Sequence, residues 1–279
     1  MPDSTVKVTI LGSGPSSGIP MVGDDWGDCD PAEPRNRRRR SSILVESADT
    51  TLLFDSSPDC REQLLDAGVK RLDAIVYTHA HADHSHGIDD LRWINFAMHA
   101  PLPAYGDATT LEILNERFGY VFKPLRPPEP GEPVRYYKPV LLPHEIQGDF
   151  SVGAVALKPF RQEHGFSHTL GFRIGDFGYS TDVVDLDDAA FAALEGIDTW
   201  LLGVFRRTPH PTHVHLERAL QWIDRVKPRR AILTHMGPDM DYRTLCGELP
   251  DGIEPGYDSM AFEVAGTRAE VPQSAQAAD

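Results

Sequence analysis

Long apolar runs are missing from this 279-residue chain: charges, glycine or proline interrupt each one well short of the roughly 18 residues a membrane-spanning helix needs. Met1–Leu11 has no basic stretch followed by a long apolar core, so no secretory signal is expected. Cysteine is scarce. Cys29, Cys60 and Cys246 cannot all pair and none stands in a CxxC, which excludes a disulfide scaffold and points to a reduced, cytoplasmic protein. Basic charge is also short. Lys+Arg number 27 against 42 Asp+Glu, a net charge of −15, which disfavours a protein that tracks a nucleic-acid backbone and must displace its counterions. With 41% hydrophobic and 25% charged residues, disordered and fibrous classes are excluded as well.

What is present reads as strands with interspersed helices. Strand patterns run over Val6–Leu11, Ser42–Glu46, Leu52–Asp55, Ala74–Thr78, Val152–Phe160, Leu170–Ile174, Gly178–Thr181, Thr199–Phe205, Ala231–Thr234 and Met260–Val264. Helical spacing covers Asp59–Ala67, closed by Gly68, and Leu216–Val226, stopped by Pro228. Further helices are expected after Asp89, around Thr109–Tyr120 and around Asp187–Leu194. The Pro-rich stretch Lys123–Pro143 separates two similar halves as a loop or surface lid. One domain over residues 1–270 with a polar tail at 271–279 is expected.

Two local features stand out. Arg35 and Arg37–Arg40 form a basic run, which is a solvated loop or strand entry, with a phosphate-facing patch as the alternative. The loop Gly12–Gly18 lacks the Gly-Lys-Ser/Thr of a P-loop; a tight turn offering backbone N–H groups to a phosphate suits it better.

Histidine carries the chemistry. Four of the twelve histidines fall between His79 and His86, directly after a strand: His79-Ala80-His81-Ala82-Asp83-His84-Ser85-His86. Two apart on an extended strand end, His79 and His81 point to the same side, and Asp83 and His84 follow in the turn. Imidazole and carboxylate suit Zn²⁺ and Mn²⁺, so the four can hold one metal with outside help or begin two adjacent sites.

His79-x-His81-x-Asp83-His84 resembles the signature of the metallo-β-lactamase superfamily. His164, Asp182 and His235 follow strands in that family's order, and Asp55 matches its first acidic position, which supports the ligand loops. The resemblance implies an α/β fold, a four-layer αββα sandwich with the metals at one edge of the two sheets. It implies two divalent ions, Zn²⁺ or Mn²⁺: one on His79, His81 and His164, the other on Asp83, His84 and His235, with Asp182 and a hydroxide bridging them. His86 would orient the ligand loop through a hydrogen bond.

Further segments narrow the branch: Gly12–Pro20, Arg37–Ser42, Asp55–Asp59, Gly87–Arg92, Pro211–His213 and Gly256–Met260. They are similar to the cyclic-phosphate phosphodiesterase of the carbon–phosphorus lyase pathway and, more distantly, to tRNA 3′-processing endonucleases. That likeness implies hydrolysis of a small phosphodiester, a cyclic phosphate or nucleotide-like ester, with His213 protonating the leaving oxygen and Asp83 serving as ligand and catalytic residue. The alternative for His213 is a solvent-facing residue at a helix start. Cys29 stands alone where the phosphonate-pathway enzyme has a cysteine cluster, so a separate structural zinc is not expected. A glyoxalase-II-like thioesterase or lactonase is the competing enzyme, an RNA 3′-processing nuclease the next, and a non-catalytic binding protein the competing class. A tRNA or membrane partner is not expected, and a homodimer is compatible with the sequence. His168 and His215 stay open between a supporting role and exposure; His99, His144 and His210 are assigned to surface or packing, Cys60 and Cys246 to packing.

Overall fold

Short apolar runs, buried on both faces, build the central strands. In a computed structural model that describes residues 4–266, the first sheet runs β1 (Ser4–Gly12), β2 (Ser42–Glu46), β3 (Thr51–Phe54), β4 (Ala74–Val76), β5 (Leu102–Gly106) and β6 (Leu141–Glu145), with β14 (Ala261–Gly266) outside β1. The second runs β7 (Phe150–Val152), β8 (Val155–Glu163), β9 (His168–Ile174), β10 (Phe177–Ser180), β11 (Thr199–Gly203), β12 (Arg230–Thr234) and β13 (Ile253–Pro255). Helices α1 (Cys60–Asp66), α2 (Ala82–Ser85), α3 (Leu91–Met98), α4 (Ala108–Phe118), α5 (Asp188–Ala193), α6 (Leu216–Val226) and α7 (Tyr242–Glu248), with short 3-10 turns at Pro34–Asn36 and Ile88–Asp90, complete the described elements. The expected tail at 271–279 lies outside the described residues.

Successive side chains on a strand face opposite ways, and here each face has its own partner. Leu52, Phe54, Ala74 and Val76 meet Leu170, Phe172, Tyr179, Leu201 and Ile232 between the sheets. Leu53 and Ile75 turn outward onto Leu64 of α1, Leu91 of α3 and Leu114 of α4. Trp200, Leu202 and Leu233 do the same on the other side, against Phe191 of α5, Trp222 of α6 and Leu245 of α7. The layers are therefore α, β, β, α, as expected. Phe54 pins the sheets together, its ring edge-on to Phe172 at 5.3 Å and Tyr179 at 5.8 Å.

Some elements differ from the reading of the sequence. Val152–Phe160 is not one strand: Gly153, at φ 54°, turns the chain into the β7–β8 hairpin. β5, β6 and β13 contain Pro103, Pro143 and Pro255, which read as breakers; β6 and β13 lie at sheet edges, where a missing N–H is tolerated. The Pro-rich stretch thus ends in a strand at Leu141. α7 has too short a periodic pattern to detect, and Asp241 starts it by accepting from Thr244 N at 2.8 Å. Among the described residues no helix is long and apolar enough to cross a membrane.

Candidate metal centre

β3, β4, β10 and β12 are parallel within their sheets or carry the chain the same way, and the residues just beyond their C-terminal ends converge on one edge. Asp55 follows β3, His79 follows β4, Asp182 follows β10 and His235 follows β12, with His164 just after β8. Asp55, Asp182 and His235 take left-handed backbone conformations, at φ 62°, 50° and 55°. Such values are uncommon for residues other than glycine and are kept where the surroundings enforce them.

Asp55 is the foundation of the site. Fully buried, it accepts from Thr78 N (2.8 Å), from the Thr78 hydroxyl (2.8 Å) and from His84 Nδ1 (2.7 Å). Because the Thr78 hydroxyl gives its proton to Asp55, it accepts from His79 Nδ1 at 2.9 Å. His164 Nδ1 donates to the Thr212 carbonyl at 2.7 Å. Each of these three rings is held by Nδ1, which leaves the Nε2 lone pair for the centre. There His84 Nε2 lies 3.1 Å from Asp182 Oδ1 and 3.4 Å from Asp83 Oδ2. His235 Nε2 lies 3.2 Å and 3.7 Å from the same two oxygens. His79 and His164 approach the other Asp182 oxygen, at 3.8 and 3.9 Å.

Two groups of donors result: His79, His81, His164 and Asp182, and Asp83, His84, Asp182 and His235, with the donor atoms of each within 4.8 Å of one another. The structure thus brings together all seven residues expected as ligands, with Asp182 shared. His79 Nε2, His84 Nε2 and both ring nitrogens of His235 are buried without a hydrogen-bond partner. Buried unpaired polar atoms are costly, and a cation would satisfy them. The charge balance fits too. Burial alone would depress His84, yet the carboxylates of Asp182, Asp83 and Asp55 outweigh it and hold its pKa well above the ordinary imidazole value. Burial likewise would raise Asp182, but His235 and His84 hold its carboxyl well below the usual range. His79, with burial and then neighbouring imidazoles against it, is held well below. The pocket demands positive charge from His84; a divalent cation among the same oxygens supplies it and frees His84 to bind as a neutral ligand.

His213 reaches the site. Its ring stacks on His235 with centroids 4.9 Å apart, lies 4.8 Å from His164, and places Nδ1 4.0 Å from Asp182 Oδ2. Burial pushes its pKa down to about 3, against the opposing charge of Asp182. His210, assigned to surface or packing, joins the same aromatic group, 5.2 Å from His213 and 5.1 Å from Phe205.

One expectation is corrected and two are narrowed. His86 is exposed, its ring lying against Phe118 at 5.4 Å; among the described residues it makes no side-chain hydrogen bond to the ligand loop, because α2 turns it outward. In the Gly12–Gly18 loop the tight turn is present, closed by Gly18 N on the Pro15 carbonyl, and the N–H groups of Ser13 and Gly14 are taken by Asp258 and Arg39, so these three are not offered to a phosphate. The arginine run is the entry to β2, with Arg35 and Arg37 exposed and the next three side chains turned onto partners, so it presents no phosphate-facing patch. Arg38 is buried, Arg39 pairs with Asp66 and Asp258, Arg40 pairs with Asp59, and Arg37 stacks on Trp26. His168 bonds Asp107 at 2.7 Å, and His215 stands at the start of α6 without a side-chain capping bond.

Thr78 and Thr212 escaped the reading of the sequence, although a signal existed: Thr78-His79, Thr181-Asp182, Thr212-His213 and Thr234-His235 repeat one dipeptide pattern at the site. Thr181 donates its hydroxyl to Asp182 Oδ1 at 2.7 Å, which makes the pattern functional at a second position.

Residues 50–236 match the family described as the beta-lactamase superfamily domain. An octanoyltransferase of Porphyromonas gingivalis is 33% identical over 260 residues, 91% of this chain and 51% of that protein. The chain therefore spans about half the length of that curated relative. A solved diphosphatase of the PhnP family superposes with a TM-score of 0.85 at 31% identity, covering 94% of this chain and 98% of the other. The short form of human tRNase Z shares the fold, with a TM-score of 0.63 at 17% identity over 92% and 98% of the two chains. With the His/Asp cluster at the shared edge, the chain belongs to the beta-lactamase superfamily of metal-dependent hydrolases, in the branch that includes the PhnP-family diphosphatase.

Proposed function

We propose that the protein hydrolyses a small phosphodiester, a cyclic phosphate or nucleotide-like ester, with two divalent ions, Zn²⁺ or Mn²⁺. The observation that carries this reading is the pair of donor groups joined through Asp182, with His213 stacked above one of them. His79, His81 and His164 would hold one ion and Asp83, His84 and His235 the other, Asp182 bridging. When bound, the ions would neutralise phosphoryl oxygens and lower the pKa of water between them.

The chain's own contribution is orientation and a proton. Asp55, through Thr78 and His84, fixes rings of both groups before any substrate arrives, which lowers the reorganisation needed at reaction. His213 presents Nδ1 on the Asp182 side, so a leaving oxygen seated over the cluster falls within reach of that nitrogen. In the free protein burial keeps His213 neutral at pH 7, so its role as proton donor would require the substrate's anionic oxygens beside it to favour the imidazolium. The inward pairing of Arg38, Arg39 and Arg40, with a net charge of −15, supports a small substrate over tRNA.

The test is hydrolysis of bis(p-nitrophenyl) phosphate by metal-stripped protein reloaded with Zn²⁺ or Mn²⁺, beside a thioester, a lactone and an Asp182→Ala control. Metal-dependent phosphodiester turnover, absent from the control, is the expected result. Efficient thioester or lactone cleavage by metal-loaded protein that leaves the phosphodiester intact would overturn the proposal.

A further inference from the structure

The five imidazoles of the centre differ in how they are held, and His81 meets only His164 Nε2, through Nδ1 at 3.3 Å. His79, His84 and His164 are each anchored through Nδ1, by Thr78, Asp55 and the Thr212 carbonyl. His235 is not: neither ring nitrogen has a hydrogen-bond partner, and the ring is confined by packing, on His213 at 4.9 Å, His84 at 5.9 Å and Phe205 at 6.3 Å, with Nε2 facing Asp182. Its direction is therefore set by its backbone, which stands at φ 55°. Whatever grips that turn aims the ring.

The grip comes from the segment Gly27–Arg38. Arg38, 1% exposed, donates from Nη1 to the Gly237 carbonyl at 3.3 Å and from Nη2 to the Met240 carbonyl at 2.7 Å. The Pro238 carbonyl accepts from Asp28 N at 2.8 Å and from Cys29 Sγ at 3.4 Å. Nη2 of Arg38 also reaches Asn36 Oδ1 at 3.2 Å, and Asn36 in turn donates to Asp241 at 2.7 Å. A buried guanidinium commonly faces a carboxylate; this one spends its bonds on the backbone just after His235. Two bonds finish the turn from the other side, Met236 N to the Ser13 carbonyl (2.9 Å) and Gly237 N to the Phe205 carbonyl (2.7 Å).

We propose that Arg38 is the positioning residue for His235, fixing the 236–241 turn and through it only the donor group of Asp83, His84, Asp182 and His235. In the other group His79 and His164 have their own anchors, at Thr78 and the Thr212 carbonyl, neither of which Arg38 touches. This inference rests on the two-ion reading of the site for its metal readout, and has a second readout that does not.

The experiment compares full-length wild type with R38M and R38K by cadmium titration and by NMR of the histidine rings in metal-free protein. R38K keeps the charge with fewer donors and serves if R38M does not fold. In the variants one cadmium is expected to bind as in wild type and the second 10–100-fold more weakly, the range typical when a ligand's supporting partner is lost. In metal-free protein the His235 ring resonances should move while those of His79, His84 and His164 stay. Equal weakening of both ions, unchanged binding of both, or ring shifts spread over all four histidines would overturn the proposal. Wild type binding fewer than two ions, with His235 alone displaced in the variants, would instead remove the two-ion reading and sustain the role of Arg38.

Discussion

Thr78 has one hydroxyl and two tasks: it gives its proton to Asp55 and receives one from His79. Replacing it by valine keeps the shape and removes both. Thr78→Val should fold normally yet bind metal 10–100-fold more weakly, as chelator competition would measure; unchanged affinity would mean the His79 ring needs no such support. His213 permits two further predictions. A proton donor matters in proportion to how poor the leaving group is, so His213→Gln should slow hydrolysis of an alkyl ester by 10²–10⁴ while p-nitrophenyl esters lose far less. Equal losses on both would argue for a role in binding. The second concerns acid. Its folded pKa, about 3, lies below the ordinary 6.5, so between those values the unfolded chain binds the extra proton. The stability that neutral His213 contributes is complete above about pH 6.5 and is lost as pH falls towards 3. Denaturant titrations of metal-free wild type and H213Q should show a difference that grows with pH across this window and then levels off.

At the scale of elements, burial decides. Phe54 is buried on β3 between two aromatic rings of the facing sheet, and Phe54→Ala should cost about 3–5 kcal/mol of unfolding free energy, read from the denaturation midpoint at constant m-value. Strands such as β2 and β12 were legible because apolar side chains fill both faces in short β-branched runs. β5, β6 and β13 were not, because their prolines speak against a strand and only pairing with a neighbour overrules them. The ligands were legible because His79-x-His81-x-Asp83-His84 is compact in sequence; what holds them was not. Asp55 meets Thr78 and His84 across 23 and 29 residues, and Arg38 meets Met240 across 202, distances at which no local pattern exists. The partners of the arginine run were hidden for the same reason: they are supplied by the turn after β12, by α1 and by Asp258.

For the whole molecule, negative charge and site chemistry agree. A chain at −15 with carboxylates converging on one edge gathers divalent cations and repels a polyanion, while a small phosphodiester meets mainly the local field of the ions. The pairing of β1 with β14 has a separate consequence. Ser4 and Gly266 are cross-strand partners, about 5 Å apart, and nine residues of β1 carry the chain from there to the Gly12 loop at the metal edge, about 25 Å away. Both ends therefore leave from the face opposite the chemistry. A circular permutant that joins Gly266 to Ser4 by a few glycines and opens at Gly131, an exposed position with open space around it, should keep its melting cooperativity and its metal stoichiometry. By the same geometry, a domain joined directly at Ser4 or Gly266 would begin about 25 Å from the metal edge and leave that edge open.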